Sequence, residues 1–117
     1  MPNLPLQYDL VIYSGVTFRR EFAWKPDGVI AQDFTGWQGR TRIGDARAAL
    51  VELTDTNAGM TLSSAGQIVV TMTPVQTGLL PTGPHAYQLD LIDPVGDVTR
   101  FMRGRVQVVT DVGPLAL

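Results

Sequence analysis

Residues 84–109 read PHAYQLDLIDPVGDVTRFMRGRVQVV. Tyr87, Leu89 and Leu91 recur every second residue, the period of an extended strand with one buried face. Asp93-Pro94-Val95-Gly96-Asp97 supplies the residues of a tight connection, since Asp bonds its own backbone and Gly accepts the left-handed region. Val98–Val109 then runs as a second, longer strand. On it Met102, Gly104, Val106 and Val108 share one face, and Arg103 and Arg105 share the other. The stretch predicts a β-hairpin with a dry side and a charged side.

The same alternation continues towards the N-terminus. Thr73 caps one helical turn over residues 74–80, with Pro74 at the first helical position. Gln67–Met72 is a strand with Ile68, Val70 and Met72 inward, preceded by a turn at Ser63–Gly66. Leu50–Leu53 is a short strand followed by a loop over residues 55–59. Residues 46–53 have some helical character but no stop signal, so an irregular lead into a strand is expected. Trp37–Ile43 places Trp37, Gly39, Thr41 and Ile43 on one face and Gln38, Arg40 and Arg42 on the other. Thr17–Trp24 sets Phe18, Phe22 and Trp24 against Thr17, Arg19 and Glu21, and ends at the turn Lys25-Pro26-Asp27-Gly28. Leu10–Tyr13 is the first strand, closed by Ser14-Gly15. About seven short strands without a repeated βα period predict an all-β, immunoglobulin-like antiparallel sandwich.

Length and composition agree with that class. The 117 residues suffice for one domain, 1–117, with a core spanning about residues 8–110. Apolar residues make up 44% and charged residues 17%, the balance of a globular chain. No cysteine is present, so disulfides and sulfur-ligated metals are excluded. A net charge of −2 argues against a general nucleic-acid binder. Lys25 is the only lysine, while eight arginines carry the remaining positive charge. The first basic residue is Arg19, and Pro2 and Pro5 interrupt the start, so no signal peptide is expected. No apolar run approaches the ~20 residues of a membrane span.

The residues able to carry chemistry have structural explanations. His85 is the only histidine, it follows Pro84, and no Gly-x-Ser-x-Gly elbow accompanies it. One histidine without cysteine does not make a zinc site. Asp93 and Asp97 share a loop but match no calcium-loop spacing. Trp24 and Trp37 are the residues of a sugar-stacking platform, yet both lie in phase with apolar neighbours, as core aromatics do. No catalytic, metal or cofactor site is expected. The surfaces selected as candidate partner-binding sites are the arginine faces Arg40/Arg42 and Arg103/Arg105. The apolar ends, Leu4 and Leu6 at one and Leu115 and Leu117 at the other, complete the set.

Four strings carry a family resemblance: SGVTFRREFAW, DFTGWQGRTRI, ALVELTDTNAGMTLSSAGQIVVTM and PTGPHAYQLDLIDPVGDVTRFMRGRVQVV. Together they resemble the immunoglobulin-like module of bacteriophage baseplate upper proteins and tail-fibre-associated proteins, over about residues 8–110. The penultimate strand departs from the family pattern of two alternating aromatics, with His85 in the first place and Tyr87 in the second. Which residue makes a tyrosine-corner hydrogen bond is therefore left open. The resemblance implies a non-enzymatic virion structural protein, made in the host cytoplasm and assembled into the tail, baseplate or neck. Its implied partners are other virion proteins in multiple symmetric copies, with no nucleic acid and no membrane. The alternatives are a capsid-surface decoration protein and a carbohydrate-binding host-adhesion domain.

Overall fold

The computed structural model describes residues 6–26, 28–45 and 48–110. In chain order the elements are β1 (Leu6–Gln7), β2 (Leu10–Tyr13), β3 (Phe18–Ala23), β4 (Gln38–Asp45) and β5 (Ala48–Thr54). β6 (Met60–Leu62), β7 (Gln67–Met72), α1 (Pro74–Gly78), β8 (Gly83–Ile92) and β9 (Val98–Val109) follow. The larger sheet has the order β1-β9-β8-β4-β5, with β2 also on β9; the smaller is β3-β7-β6. This is an immunoglobulin-like β-sandwich. The smaller sheet and the β9-β8-β4 centre match the constant-type arrangement, and β5 extends the larger sheet as in variable-type domains.

β1 and β2 run parallel to β9 in one continuous register, Leu6 opposite Met102 and Leu10 opposite Val106. All other described pairings are antiparallel. The alternation seen in the sequence sorts side chains as expected. Ile12, Ile43, Leu53, Ile68, Met72, Leu89, Leu91, Val106 and Val108 are fully or almost fully buried between the sheets. Burying each such aliphatic side chain contributes about 1.5–3 kcal/mol, which offsets the ordering entropy of the strands.

Two strands of two and three residues, β1 and β6, were not expected, because so short a run shows no period. β5 begins at Ala48, earlier than the predicted Leu50. Arg20 has the inward parity of Phe18 and Phe22 but lies on β3, an edge strand, where its guanidinium covers the Phe18 ring at 5.3 Å and stays exposed. A charge turned inward on an edge discourages pairing with another chain.

The predicted helical turn is present. Thr73 Oγ1 accepts from the Gln76 N–H at 3.1 Å, and Gln76 Oε1 accepts from the Thr73 N–H at 2.8 Å, a complete capping box. Thr77 within it is fully buried. Its hydroxyl donates to Val16 O at 2.9 Å and accepts from the Gly15 N–H at 3.0 Å, which fastens the β2–β3 turn to α1. No described helix is long and apolar enough to cross a membrane.

Candidate docking face

The outer side of the larger sheet gathers most of the chain's described arginines, and cross-strand register decides what each one meets. Arg40 on β4, Asp90 on β8 and Arg100 on β9 lie in one row. Asp90 is fully buried, although it points away from the core. Its cover is the two guanidiniums: Arg40 Nη2 donates to Oδ2 at 3.3 Å and Arg100 Nε to Oδ1 at 2.9 Å. Gln88 Nε2 adds a longer contact to Oδ2 at 3.4 Å. The hydrogen-bonded carboxylate holds Arg100 above its ordinary pKa. In the adjoining row Arg42 Nε donates to Glu52 Oε2 at 2.6 Å.

Arg103 and Arg105 differ from these. Both are exposed, and neither side chain has a hydrogen bond or ion pair among the described residues. They stand on β9 opposite Gln88 and Ala86. Because Ala86 is short and the arginines around it are long, a shallow concavity of about 950 Å³ opens here. Arg100, Arg103, Arg105, Gln88, Ala86 and His85 are among the residues lining it.

One rim of the concavity is the break between β1 and β2. There Tyr8 N–H bonds Arg103 O at 3.0 Å, and Asp9 Oδ1 accepts from the Arg105 N–H at 3.0 Å. The Tyr87 hydroxyl donates to Tyr8 O across 79 residues. Tyr87 therefore makes no local corner bond of the kind left open by the sequence; it anchors the first strand to β8. Burial pushes its phenol above the ordinary value of 10.0, and the Asp9 carboxylate adds to the effect. Gly104 makes the close approach possible, since a Cβ there would sit 2.2 Å from Tyr8 O.

The candidate partner-binding residues from the sequence thus separate. Arg103 and Arg105 face the concavity; Arg42 is paired with Glu52, and Arg40 shares the Asp90 carboxylate with Arg100. Leu6 is no free arm, for it pairs with Met102 and packs partly against the core. Leu4, Leu115 and Leu117 lie outside the described residues. His85 is half-buried, with Nε2 2.7 Å from Pro81 O. Asp93 Oδ1 accepts from the N–H groups of Val95 and Asp97 at 3.0 and 2.9 Å, the turn role expected of it. No cluster of metal-binding side chains occurs among the described residues.

Trp24 and Trp37 are half-buried at the loop end of the sandwich. Trp24 stacks on Phe34 with centroids 6.2 Å apart and meets Phe101 and Trp37 edge-on at 5.5 and 6.3 Å. Their rings are committed to this cluster.

Two residues of the face, Asp90 and Gln88, carry no signal in the sequence, and Arg100 shows there only as one of three arginines crowding the last strand. Asp90 alternates with Leu89 and Leu91, a position that by itself predicts only an outward side chain. Pairing it with basic residues on both neighbouring strands needs the register.

No family model matches this sequence, and no curated protein does. A solved chain from a photo-crosslinking study of multimeric cell-adhesive interactions of VGSC beta subunits aligns with a TM-score of 0.49 and 10% identity. The alignment covers 93% of the present chain and 97% of that one.

Proposed function

We propose that this chain is a non-enzymatic, immunoglobulin-like assembly module of a bacteriophage virion, which docks on other tail, baseplate or neck proteins through the outer face of its larger sheet. The observation that carries the docking reading is the contrast within one face. Its other arginines all bond a carboxylate, Arg42 that of Glu52 and Arg40 and Arg100 jointly that of Asp90, whereas Arg103 and Arg105 have no partner among the described residues and stand beside a concavity. Arginine fits interfaces because its planar fork forms bidentate bonds and is weakly hydrated. The virion location is supported by the four sequence strings that resemble phage immunoglobulin-like modules.

Deleting the gene from a phage that carries it, then imaging the particles by electron microscopy, is the direct test. Loss or incomplete assembly of tails is expected. Complete particles with unchanged protein composition overturn the reading. Mass spectrometry of separated heads and tails distinguishes tail incorporation from capsid decoration.

A further inference from the structure

We infer that the concavity beside Arg103 and Arg105 is a binding site for an extended, carboxylate-bearing segment of a partner protein, laid along β9. The inference rests on reading the chain as a docking module and adds the chemistry of what it docks.

Three observations converge. The first is charge. The row Arg40–Asp90–Arg100 sets two guanidiniums against one carboxylate, so it keeps a net positive charge. Arg103 and Arg105 add two cations without partners among the described residues. With Asp9 on the rim counted, four guanidiniums stand against two carboxylates, so a chain with a net charge of −2 carries a local basic patch here.

The second is spacing. Arg103 and Arg105 are two residues apart on a strand, and both project from the same side. Such positions repeat every ~6.4–6.8 Å. An extended peptide with acidic residues at alternate positions repeats its carboxylates at the same interval, and so can meet both guanidiniums in bidentate geometry.

The third is shape and polarity. Ala86 leaves room for a main chain, while Gln7 and Gln88 line the concavity with amide groups able to bond a peptide backbone. Nucleic acid fits less well. Among the described residues lining the concavity there is no Phe or Trp, Tyr87 is buried and His85 is held on Pro81 O, so no row of rings is offered for stacking successive bases. Asp9 on the rim disfavours any anion beside it, and a peptide can place a neutral residue there whereas a continuous phosphate chain cannot.

The test is a nuclear magnetic resonance titration of the full chain at low salt. The probe is a blocked pentapeptide with glutamate at its first, third and fifth positions. The control is the same peptide with glutamine. Saturable shifts confined to residues 86–88 and 103–105, and to the Nε–H groups of Arg103 and Arg105, are expected with the glutamate peptide only. The double variant Arg103→Gln/Arg105→Gln should weaken binding about five- to tenfold, as loss of two exposed ion pairs predicts. Arg19→Gln, on the other sheet, should leave it unchanged.

Equal binding of the two peptides, or an unaffected double variant, overturns the inference. So does tighter binding of a short oligothymidylate at the same residues. Shifts of these residues with protein concentration alone would identify a second copy as the occupant and overturn it as well. The titration reads only the chemistry of the face; particle imaging tests the virion location separately.

Discussion

The Asp90 carboxylate receives the Arg100 Nε–H at 2.9 Å because β9 carries one extra residue between its pairings with Leu89 and Asp90. Leu89 pairs with Met102 and Asp90 with Arg100, so Phe101 is left over as a β-bulge. Strict alternation would put Arg100 on the core side with Met102 and Val106. The bulge instead turns Arg100 outward and allows Phe101 to join Met102 in the core. One irregularity completes both the outer ion-pair row and the inner aromatic cluster.

Asp90→Ala removes the acceptor shared by two guanidiniums and leaves them facing each other. A loss of about 2–3 kcal/mol is expected, below the value for a fully buried pair because both arginines reach water. Urea unfolding should show a lower midpoint at an unchanged m-value. Arg103→Ala on the same face should shift stability by no more than about 0.5 kcal/mol. Equal midpoints for the two variants would show that the Asp90 row contributes nothing.

Phe101→Ala empties the centre of the contact with Trp24. The expected cost is about 3–5 kcal/mol, as for other buried aromatic truncations. Trp24 emission should move to longer wavelength as water reaches its ring. Unchanged emission in the folded variant would contradict the edge-on packing described above.

Tyr87 links stability to alkaline pH. Its folded pKa lies above the ordinary 10.0, so the fold favours the protonated phenol. That contribution is complete below the unfolded value and is lost as pH rises through the folded value. In this window the unfolded chain releases the proton first, and stability falls by up to about 1.4 kcal/mol per pH unit. Tyr87→Phe should lower stability near neutral pH by about 1 kcal/mol and flatten this alkaline slope. Parallel urea melts of both proteins measure the difference; matching slopes refute it.

Gly104→Ala tests the junction of β1 and β2 with β9. The new Cβ would meet the Tyr8 carbonyl, so the first strand must move away and the Tyr8 N–H bond to Arg103 must lengthen. A destabilisation of about 1–3 kcal/mol is expected, typical of forced overpacking. Hydrogen exchange should accelerate at Tyr8 and the amides of β2 while β4 and β8 stay protected.

Thr77→Val keeps the volume of a fully buried side chain and removes its hydroxyl. The Gly15 N–H loses its acceptor and Val16 O loses a donor. About 1–3 kcal/mol should be lost, with faster exchange at Gly15. A neutral substitution would show that water satisfies both groups.

Much of the fold was legible in local chemistry. Tyr87, Leu89 and Leu91 gave the face of β8, Asp93 and Gly96 gave the hairpin, and Thr73-Pro74 gave the helix start. These readings succeeded because period and turn preference are properties of a few neighbouring residues. β1 and β6 escaped because two or three residues carry no period. The candidate docking face was only half visible: Arg103 and Arg105 stood out, but so did Arg40 and Arg42, and nothing local separates the pairs.

The sequence by itself determined an all-β sandwich, the sidedness of its principal strands and the clustering of arginines on β4 and β9. The tertiary structure alone decided which of those arginines find a carboxylate among the described residues. That depends on which residues stand opposite one another across β5, β4, β8 and β9, and a slip of one residue sends a side chain to the other face. The bulge at Phe101 is such a slip. It brings Arg100 to Asp90 on the outer face, where Arg103 and Arg105 stand beside the concavity with no carboxylate partner among the described residues.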